Sequence, residues 1–309
     1  MIEKSIDILV PGEINPDLIL NDPHLEVRFG QQEVLVQDFE MTIGSSSAIF
    51  ACGASRLGLK TTIIGVVGDD PLGRFMIDAL HQRQVDVSPV LINRERKTGV
   101  SVILSRGSDR AILTYLGCID ALEANQVPDS LLAQTRHLHV CSIFLQSRLR
   151  SGLTTLFDRA RSLGVTISLD TNWDPSGKWE GILELIAQVD VFLPNEQEAL
   201  AITASANLPQ ALDVLAQQCP LVVIKQGDKG AIARQGGETV AVKALTVPVV
   251  DTVGAGDSFN AGFLYGYLAG FPLKKSLELG IACGSLSTRA AGGVNAQPTL
   301  AEALQYVSG

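Results

Sequence analysis

The sequence is poor in aromatic residues, in cysteine and in basic residues, and each shortage excludes a class of protein. Aromatic side chains make up 5% of the 309 residues, which leaves Leu, Val, Ile and Ala to build the core and disfavours a stacked-aromatic platform for carbohydrate. The five cysteines contain no Cys-x-x-Cys pair, so we expect free buried thiols in a reducing cytoplasm rather than a disulfide framework. The net charge of −9 argues against a nucleic-acid partner, because binding to a phosphate backbone requires a basic surface.

The sequence also lacks a membrane span, a linker and an internal repeat. No apolar run reaches the roughly 18 residues of a membrane helix, and the best candidate, Ala261–Phe271, is short and interrupted by glycines. A hydrophobic content of 46% with 18% charged residues excludes a disordered chain. Because no Pro- or Ser-rich linker divides the sequence, we predict a single domain over residues 1–309, with no membrane partner.

Strand-like and helix-like segments alternate along most of the sequence. The predicted buried strands are Ile6–Val10, Thr61–Val67, His137–Cys141, Val165–Leu169, Val189–Leu193 and Leu221–Ile224. The predicted helices are Ser45–Leu57, Pro71–Arg83, Leu149–Leu163, Glu196–Ile202, Pro209–Gln218 and a helical region from Gly256 onward. This alternation is typical of a parallel sheet with helices on both faces, so we predict an α/β fold.

Two early hairpins interrupt this alternation. The first is predicted from Leu25–Arg28 and Glu33–Phe39, and the second from Gly99–Leu104 and Arg110–Leu116 with a turn at residues 106–109. Neither has helices beside it, so we predict that their strands form a small sheet that stands off the main body. A third hairpin is predicted within residues 230–242.

The strongest chemical signal lies between a β-like run, Ala244–Val250, and an apolar helix. The segment is Asp251-Thr252-Val253-Gly254-Ala255-Gly256-Asp257-Ser258-Phe259-Asn260-Ala261-Gly262. Small residues let the backbone approach a ligand, and the first amides of a helix lack internal partners and favour an anion. We therefore expect the backbone amides of residues 254–257, around Gly254, Ala255 and Gly256, to form an anion hole. A carboxylate beside such a hole disfavours simple phosphate binding, which indicates that Asp257 is a general base for an attacking hydroxyl. The alternative is that Asp257 only caps the helix.

Further polar residues follow predicted strands, at the edge of the sheet where ligands bind in α/β folds. Asp17 could accept hydrogen bonds from two vicinal hydroxyls, or it could be a turn residue after Pro16. Asn195 and Glu198 could face one ligand, or they could form a capping pair. Asp170 and Asn172 fit either a pocket or a turn. The four histidines form no ligand set, and His137 and His139 are better explained as structural residues.

Taken with these motifs, the sequence resembles the ribokinase, or PfkB, family of carbohydrate kinases over nearly its whole length. Residues 251–259 resemble the C-terminal signature of that family. Further matching segments are Gly12–Asp17, Gly44–Gly58, Gly65–Gly73, Asn195–Glu198 and Lys225–Gly230. The resemblance implies a ribokinase-like three-layer sandwich, with a doubly wound, mostly parallel sheet and a small β-sheet lid whose strands lie at about residues 13–41 and 97–117. It also implies phosphorylation of a sugar or nucleoside hydroxyl, usually a primary one, by magnesium ATP.

The resemblance assigns roles to particular residues. It implies substrate contacts by Asn15, Asp17, Gly44 and Ser45, and nucleotide contacts by Asn195, Lys225, Gly227 and Gly230. It implies Mg²⁺ held through water near Asn195 and Glu198, and a monovalent cation such as K⁺ near Asp251. A homodimer formed through the lid is the expected assembly.

The sequence departs from the family pattern at four places. Ser45 replaces the second residue of a common Gly pair, Ile49 stands where Asn is frequent, Lys225 replaces a common Thr, and Thr171 stands in the middle of a usual Asp-Pro-Asn. These departures bear on the substrate rather than on the catalytic segment. We favour a free sugar or sugar acid of the ribose, fructose or 2-keto-3-deoxygluconate type, with a nucleoside or a sugar phosphate as the alternatives.

Two other functions compete with a sugar kinase. Gly256-Asp257-Ser258 is also the nucleophile tripeptide of GDS-type esterases, but those place it early and follow it with Asp-x-x-His. Here the tripeptide is late, and Asp78–His81 precedes it. A non-catalytic sugar sensor on the same fold is the second competitor, and the presence of Asp257 argues against it. The absence of Gly-x-x-x-x-Gly-Lys-Ser/Thr excludes a P-loop enzyme.

Overall fold

A computed structural model describes residues 4–106 and 109–308, so Gly107 and Ser108 of the predicted turn lie outside the described residues. The strands are β1 (Ile6–Pro11), β2 (Pro16–Asn21), β3 (Asp38–Ile43), β4 (Thr61–Ile64), β5 (Val66–Gly68), β6 (Leu91–Asn93), β7 (Val100–Arg106), β8 (Asp109–Tyr115), β9 (Thr135–Cys141), β10 (Thr166–Asp170), β11 (Val191–Phe192), β12 (Leu221–Lys225), β13 (Ala231–Gln235) and β14 (Glu238–Val242).

The helices cover both faces of the larger sheet. They are α1 (Ser46–Arg56), α2 (Pro71–Gln82), α3 (Asp129–Ala133), α4 (Ser147–Ser151), α5 (Leu153–Ser162), α6 (Ile182–Ile186), α7 (Glu196–Thr203), α8 (Leu208–Gln218), α9 (Ala255–Leu268), α10 (Leu273–Ser287) and α11 (Leu300–Leu304). Among these described helices, none combines the length and the apolar content that crossing a bilayer would require.

The larger sheet has the strand order β14-β13-β12-β11-β10-β9-β1-β4. The pairings from β12 to β4 are parallel, and β13 and β14 add an antiparallel edge. Alternate residues of the strands enter two separate cores. Leu9 of β1 packs with α5 and α8 on one face, whereas Ile8 and Val10 pack with α1, α9 and α10 on the other. The predicted α/β fold with a mostly parallel sheet is therefore confirmed.

A second sheet has the order β3-β2-β7-β8 and lies over the carboxyl ends of the larger one. Its outer pairings are antiparallel, and β2 joins β7 in parallel. Successive side chains of a strand point to opposite faces of the sheet. The register therefore puts four polar residues in one row on the face toward the larger sheet: Asp17, Thr42, Ser101 and Thr114. We call this four-stranded unit the small sheet.

Several predicted elements are wrong in position or extent. The first hairpin is formed by β2 and β3. Residues 22–37 between them are irregular, because the exposed alternating segments at 25–28 and 33–37 pair with no described strand. The strand predicted at Thr61–Val67 divides at Gly65, where a Cβ would lie 2.3 Å from the Gly12 carbonyl oxygen. The helix predicted at Leu149–Leu163 divides at Gly152 into α4 and α5. Residues 244–250 form no strand.

Candidate active site

Two neighbouring cavities lie at the carboxyl ends of the parallel strands. The first, about 720 Å³, lies beneath the small sheet and is lined by residues that follow β1, β10 and β12 and by the start of α9. The second, about 470 Å³, lies between the turn after β12, the segment 244–252 and helices α9 and α10. Four residues line both cavities: Lys225, Gly227, Thr252 and Gly256. The two cavities therefore meet at the N-terminus of α9.

The turn into α9 is fixed by a glycine and a carboxylate. Gly254 has φ +69°, and a Cβ there would lie 2.8 Å from both Gly293 Cα and Ile49 Cγ2, so only glycine fits. Asp251 accepts hydrogen bonds from the amides of Val253 and Gly292, each at 3.0 Å, and so ties this turn to the loop after α10. Ile49, where the family often has Asn, therefore packs against the turn.

One of the amides predicted to form the anion hole is already paired within the turn. The amide of Ala255 donates to the Thr252 carbonyl at 3.3 Å and is engaged within the turn. The amides of Gly256 and Asp257 donate to no other described residue, as expected for the first turn of a helix. Gly256 lines both cavities and Asp257 lines the first, and the helix dipole favours negative charge at this end of α9.

Asp257 lies in the first turn of α9 and is buried, with 8% of its surface exposed. Burial raises its pKa well above the usual range of an aspartate, and the nearby charges of Asp170 and Glu13 raise it further, whereas the Lys225 ammonium lowers it. A buried carboxyl group with an elevated pKa beside free amides suits a proton acceptor.

The sugar-contact residues predicted from the resemblance cluster beneath the small sheet. Asp17 is buried on β2, and burial raises its pKa to about 7, with Arg110 acting in the opposite sense. A Cβ at Gly44 would lie 2.2 Å from Asp17 Oδ1, so the glycine makes room for this carboxylate. Asn15 lines the same cavity, and its buried Oδ1 accepts no hydrogen bond from the described residues. This unpaired oxygen suits a ligand hydroxyl.

Ser45 connects the start of α1 to the segment after β1. It has φ +62°, caps the amide of Ala48 at 3.1 Å and donates to the Glu13 carbonyl at 2.9 Å. The Glu13 side chain accepts from the amide of Ser46 at 3.1 Å, and burial raises its pKa to about 7. Sequence reasoning missed Glu13, although its position between a buried strand and Asn15 was a usable signal.

A charged cluster lies at the ends of β10 and β12. Lys225 Nζ lies 2.6 Å from Asp170 Oδ2 and 3.3 Å from Asn260 Oδ1. Asn260 Nδ2 donates to the same Asp170 oxygen at 2.5 Å. The carboxylates of Asp170 and Glu198 both raise the pKa of Lys225, so its side chain stays an ammonium despite burial. The contacts of Asn260 were also missed, although it lies one residue beyond the signature at 251–259.

Asn195 and Glu198 form the capping pair considered as one alternative. Asn195 Oδ1 accepts from the Glu198 amide at 2.9 Å, and Glu198 Oε2 accepts from the Asn195 amide at 2.8 Å. Both residues nevertheless line the first cavity, and burial raises the pKa of Glu198 to about 7. Capping therefore holds their oxygen atoms at the cavity wall.

The turn after β12 belongs to the second cavity. Gly230 has φ +107°, and a Cβ there would lie 2.0 Å from the Val242 carbonyl oxygen, so this glycine is required by packing. Gly227, with φ +60°, lines both cavities. The remaining wall of the second cavity is largely apolar, with Leu245, Phe259 and Ile281. Such a wall suits a flat, weakly polar ring.

The residues of the esterase alternative are not arranged for nucleophilic catalysis. Ser258 is buried, and its hydroxyl accepts from Gln297 Nε2 at 3.1 Å. His137 and His139 are buried against Ser168 in the middle of the larger sheet, and burial lowers the pKa of each to about 3. They are structural, as predicted, and they do not contact Ser258.

Comparisons with known proteins agree with this arrangement. The family model "pfkB family carbohydrate kinase" matches residues 5–300. The ATP-dependent 6-phosphofructokinase of Thermoanaerobacterium thermosaccharolyticum is 31% identical over 304 residues, which covers 94% of this chain and 91% of that protein. A fructokinase of Klebsiella pneumoniae is 33% identical over 273 residues, which covers 82% of this chain and 88% of that protein.

A solved structure extends the similarity to the fold. The fructokinase of Vibrio cholerae O395, determined with fructose, ADP and a calcium ion, has a TM-score of 0.83 and 25% identity, covering 99% of this chain and 100% of that one. The ribokinase-like fold predicted from the resemblance is thereby confirmed.

Proposed function

The chain belongs to the pfkB family of carbohydrate kinases and is a sugar kinase, and we propose that it transfers the γ-phosphate of ATP to a primary hydroxyl of a free sugar or sugar acid. The observation that carries this proposal is the position of Asp257. Its buried carboxyl group lies beside two free amides at the junction of a polar cavity and a largely apolar one.

Asp257 is the general base in this proposal. Its carboxylate takes the proton of the sugar hydroxyl as that oxygen forms a bond to the γ-phosphorus. The bond between the γ-phosphorus and the β–γ bridging oxygen breaks, and ADP leaves with the electron pair. The amides of Gly256 and Asp257 donate to the phosphoryl oxygens while charge shifts toward ADP.

The second cavity receives the nucleotide. Its apolar wall takes the base, and the turn at Gly227 and Gly230 lies against the phosphates. Oxygen donors suit Mg²⁺, which keeps much of its water shell, so Asn195 and Glu198 would hold it through water. When bound with the nucleotide, Mg²⁺ neutralises phosphate charge.

The first cavity receives the sugar. Asp17 and Asn15 accept hydrogen bonds from its hydroxyl groups, and Gly44 keeps Asp17 in place. Arg110 of β8 lines the same cavity and influences the Asp17 carboxyl group. A guanidinium at this position favours a substrate that carries a carboxylate, which supports a sugar acid over a neutral sugar.

The test is an ATP-consumption screen with Mg²⁺ and purified protein. Its panel contains ribose, fructose, 2-keto-3-deoxygluconate, fructose 6-phosphate and nucleosides, each with and without protein. We expect 2-keto-3-deoxygluconate or a related sugar acid to give the highest kcat/KM, and Arg110→Met to reduce that preference. A higher kcat/KM with fructose 6-phosphate would assign Arg110 to a phosphate instead, and ATP consumption with nucleosides alone would refute the substrate class.

The monovalent cation is tested with the same assay. Asp251 ties the anion-hole turn to the loop at Gly292. A cation bound near it would stiffen this turn. We expect K⁺ to raise kcat relative to choline at equal ionic strength, and equal rates in the two salts would refute a K⁺ site.

A further inference from the structure

Lys225 occupies the place where the two cavities meet. Its side chain lines both of them, and the position that a Cβ would take at Gly256 lies 3.6 Å from Lys225 Nζ. The ammonium is therefore next to the amide that the proposed function assigns to the transferred phosphoryl group. Any group that passes from the nucleotide cavity to the sugar cavity passes beside it.

The hydrogen bonds of Lys225 leave one donor available. An ammonium has three N–H groups. One is directed to Asp170 at 2.6 Å and a second to Asn260 at 3.3 Å. The third has no acceptor among the described residues. Asp170 and Asn260 also bond to each other and so form a fixed pair of acceptors for the ammonium, while Lys225 lines both cavities.

The acidic residues around the first cavity favour an ammonium group at the position of Lys225. Glu13, Asp17, Asp170, Glu198 and Asp257 all line the first cavity. Among the described residues that line either cavity, Lys225 and Arg110 are the cations, and Arg110 lies on the small sheet above the sugar side. Burial raises the pKa of four of these carboxyl groups, so only part of them is ionised, and each ionised one repels a triphosphate unless positive charge lies close to it.

We propose that Lys225 is a catalytic residue whose third N–H donates to a non-bridging oxygen of the γ-phosphoryl group during transfer, with Asp170 and Asn260 as its positioning residues. This inference rests on the proposed function. Lys225 remains protonated throughout. The proton of the sugar hydroxyl goes to Asp257, the bond from phosphorus to the β–γ bridging oxygen breaks, and ADP leaves with the electron pair. The lysine thus bonds to phosphoryl oxygens and neither gives nor takes a proton.

A purely structural role for Lys225, as a counter-ion to Asp170, makes different predictions. A counter-ion would support the fold and the affinity for every nucleotide equally. A donor to the γ-phosphoryl group acts only where that group is present. The comparison of a nucleotide with and without a γ-phosphate therefore separates the two roles.

The experiment uses Lys225→Met, which keeps the length of the side chain and removes the ammonium. Binding of ADP and of the non-hydrolysable ATP analogue AMP-PNP is measured by calorimetry with Mg²⁺. We expect unchanged ADP affinity and roughly tenfold or greater weakening of AMP-PNP, because a charge-assisted hydrogen bond is lost. On the best sugar substrate, we expect kcat to fall about 10²–10³-fold, the usual cost of one oxyanion donor, with little change in the sugar KM.

Lys229→Met is the matched control, since Lys229 is an exposed lysine on the same turn that pairs with Glu196. It should bind both nucleotides as the wild type does. If Lys225→Met misfolds because Asp170 is left unpaired, the double variant Asp170→Asn/Lys225→Met removes both charges and serves in its place. Equal weakening of ADP and AMP-PNP, or kcat within about threefold of wild type in the folded variant, would overturn the role of Lys225. The binding ratio requires no turnover, so failure of the sugar screen alone would refute the proposed function without deciding this one.

Discussion

At the residue scale, the chemistry of the site depends on carboxyl groups that the fold keeps out of water. Asp17, Glu13 and Glu198 each have a pKa raised to about 7, and burial is the largest cause in every case. Asp257 shares this environment, so its ionisation state depends on its charged neighbours as well as on pH. Lys225 lowers the pKa of Asp257 and so opposes the effect of burial. The ionisation of Asp257 therefore depends on the charge of Lys225.

Asp257→Asn tests the base. The amide cannot accept the proton of the sugar hydroxyl, so we expect kcat to fall about 10²–10⁴-fold with ATP binding retained. In the wild type, kcat/KM should rise with pH as Asp257 loses its proton, and because its pKa is raised, this limb should lie above the usual range of an aspartate. The limb should vanish in the variant.

The control for this prediction is Asp158→Asn, an exposed aspartate of α5 that is not among the residues lining either cavity. Its rate and pH profile should match those of the wild type. Wild-type turnover by Asp257→Asn on a confirmed substrate would contradict the assignment.

Glu13→Gln tests the cost of burying a carboxylate. Because its folded-state pKa is raised, Glu13 contributes stability below about pH 4.5 that is lost as the pH rises through about 7. The variant should match the wild type at pH 4.5 and be more stable by about 2–3 kcal/mol at pH 8, which is roughly 3–6 °C in Tm.

Thermal unfolding of both proteins without ligands, at several pH values, measures this difference. The glutamine oxygen can still accept from the Ser46 amide, so the local hydrogen bond is kept. A difference in Tm that stays constant from pH 4.5 to 8 would show that Glu13 is not buried as a neutral group.

At the scale of elements, helix α9 is held by close packing against α10. Gly262 and Gly266 bring the two backbones together, and a Cβ at Gly266 would lie 2.8 Å from Ser276 Cα. Two of the three glycines that interrupt the apolar run 261–271 are thus contact points between helices. Since the segment predicted to form the anion hole lies at the start of α9, this contact also positions that segment.

Gly266→Val should lower stability by about 1–3 kcal/mol, because the added methyl groups force the two helices apart. Thermal unfolding measures the loss. Gly237→Ala is the control, since no atom lies within 4 Å of a Cβ at that position. Equal Tm values for the two variants would mean that α9 and α10 adjust to the larger side chain without cost.

The parallel strands and most helices could be predicted because the spacing of apolar residues within each segment already indicates its secondary structure. The small sheet could be predicted only in outline. Its strand β2 depends on pairing with β7, some eighty residues away in sequence, and no local pattern at 16–21 reveals that partner. The segment 251–262, which includes Asn260, was recognisable from consecutive residues, whereas Glu13 and Arg110 reach the first cavity through the fold.

At the scale of the whole molecule, the outer face of the small sheet is apolar and exposed. The register places Leu18, Met41, Val102 and Leu113 in one row on that face. Met41 and Leu113 are 38% and 61% exposed. A contiguous apolar face of this kind marks a contact surface, which supports the predicted homodimer through the lid.

Leu113→Glu should convert the predicted dimer into a monomer, because it would bury a carboxylate without a partner at the contact. Light scattering after gel filtration measures the mass, and circular dichroism checks the fold. Ile112→Thr changes the neighbouring residue on the opposite face and should stay dimeric. A wild-type protein that is monomeric at micromolar concentration would refute the assembly.

The parallel pairing of β2 with β7 also determines when the small sheet can form during synthesis. β2 leaves the ribosome early, yet its partner strand emerges only after α1, α2 and β4 have been made. Long-range pairing of this kind is slow, since the chain between the partners must first be ordered. The small sheet therefore closes over the first cavity only after part of the larger body has been made, and until then the edge of β2 that pairs with β7 has no partner strand.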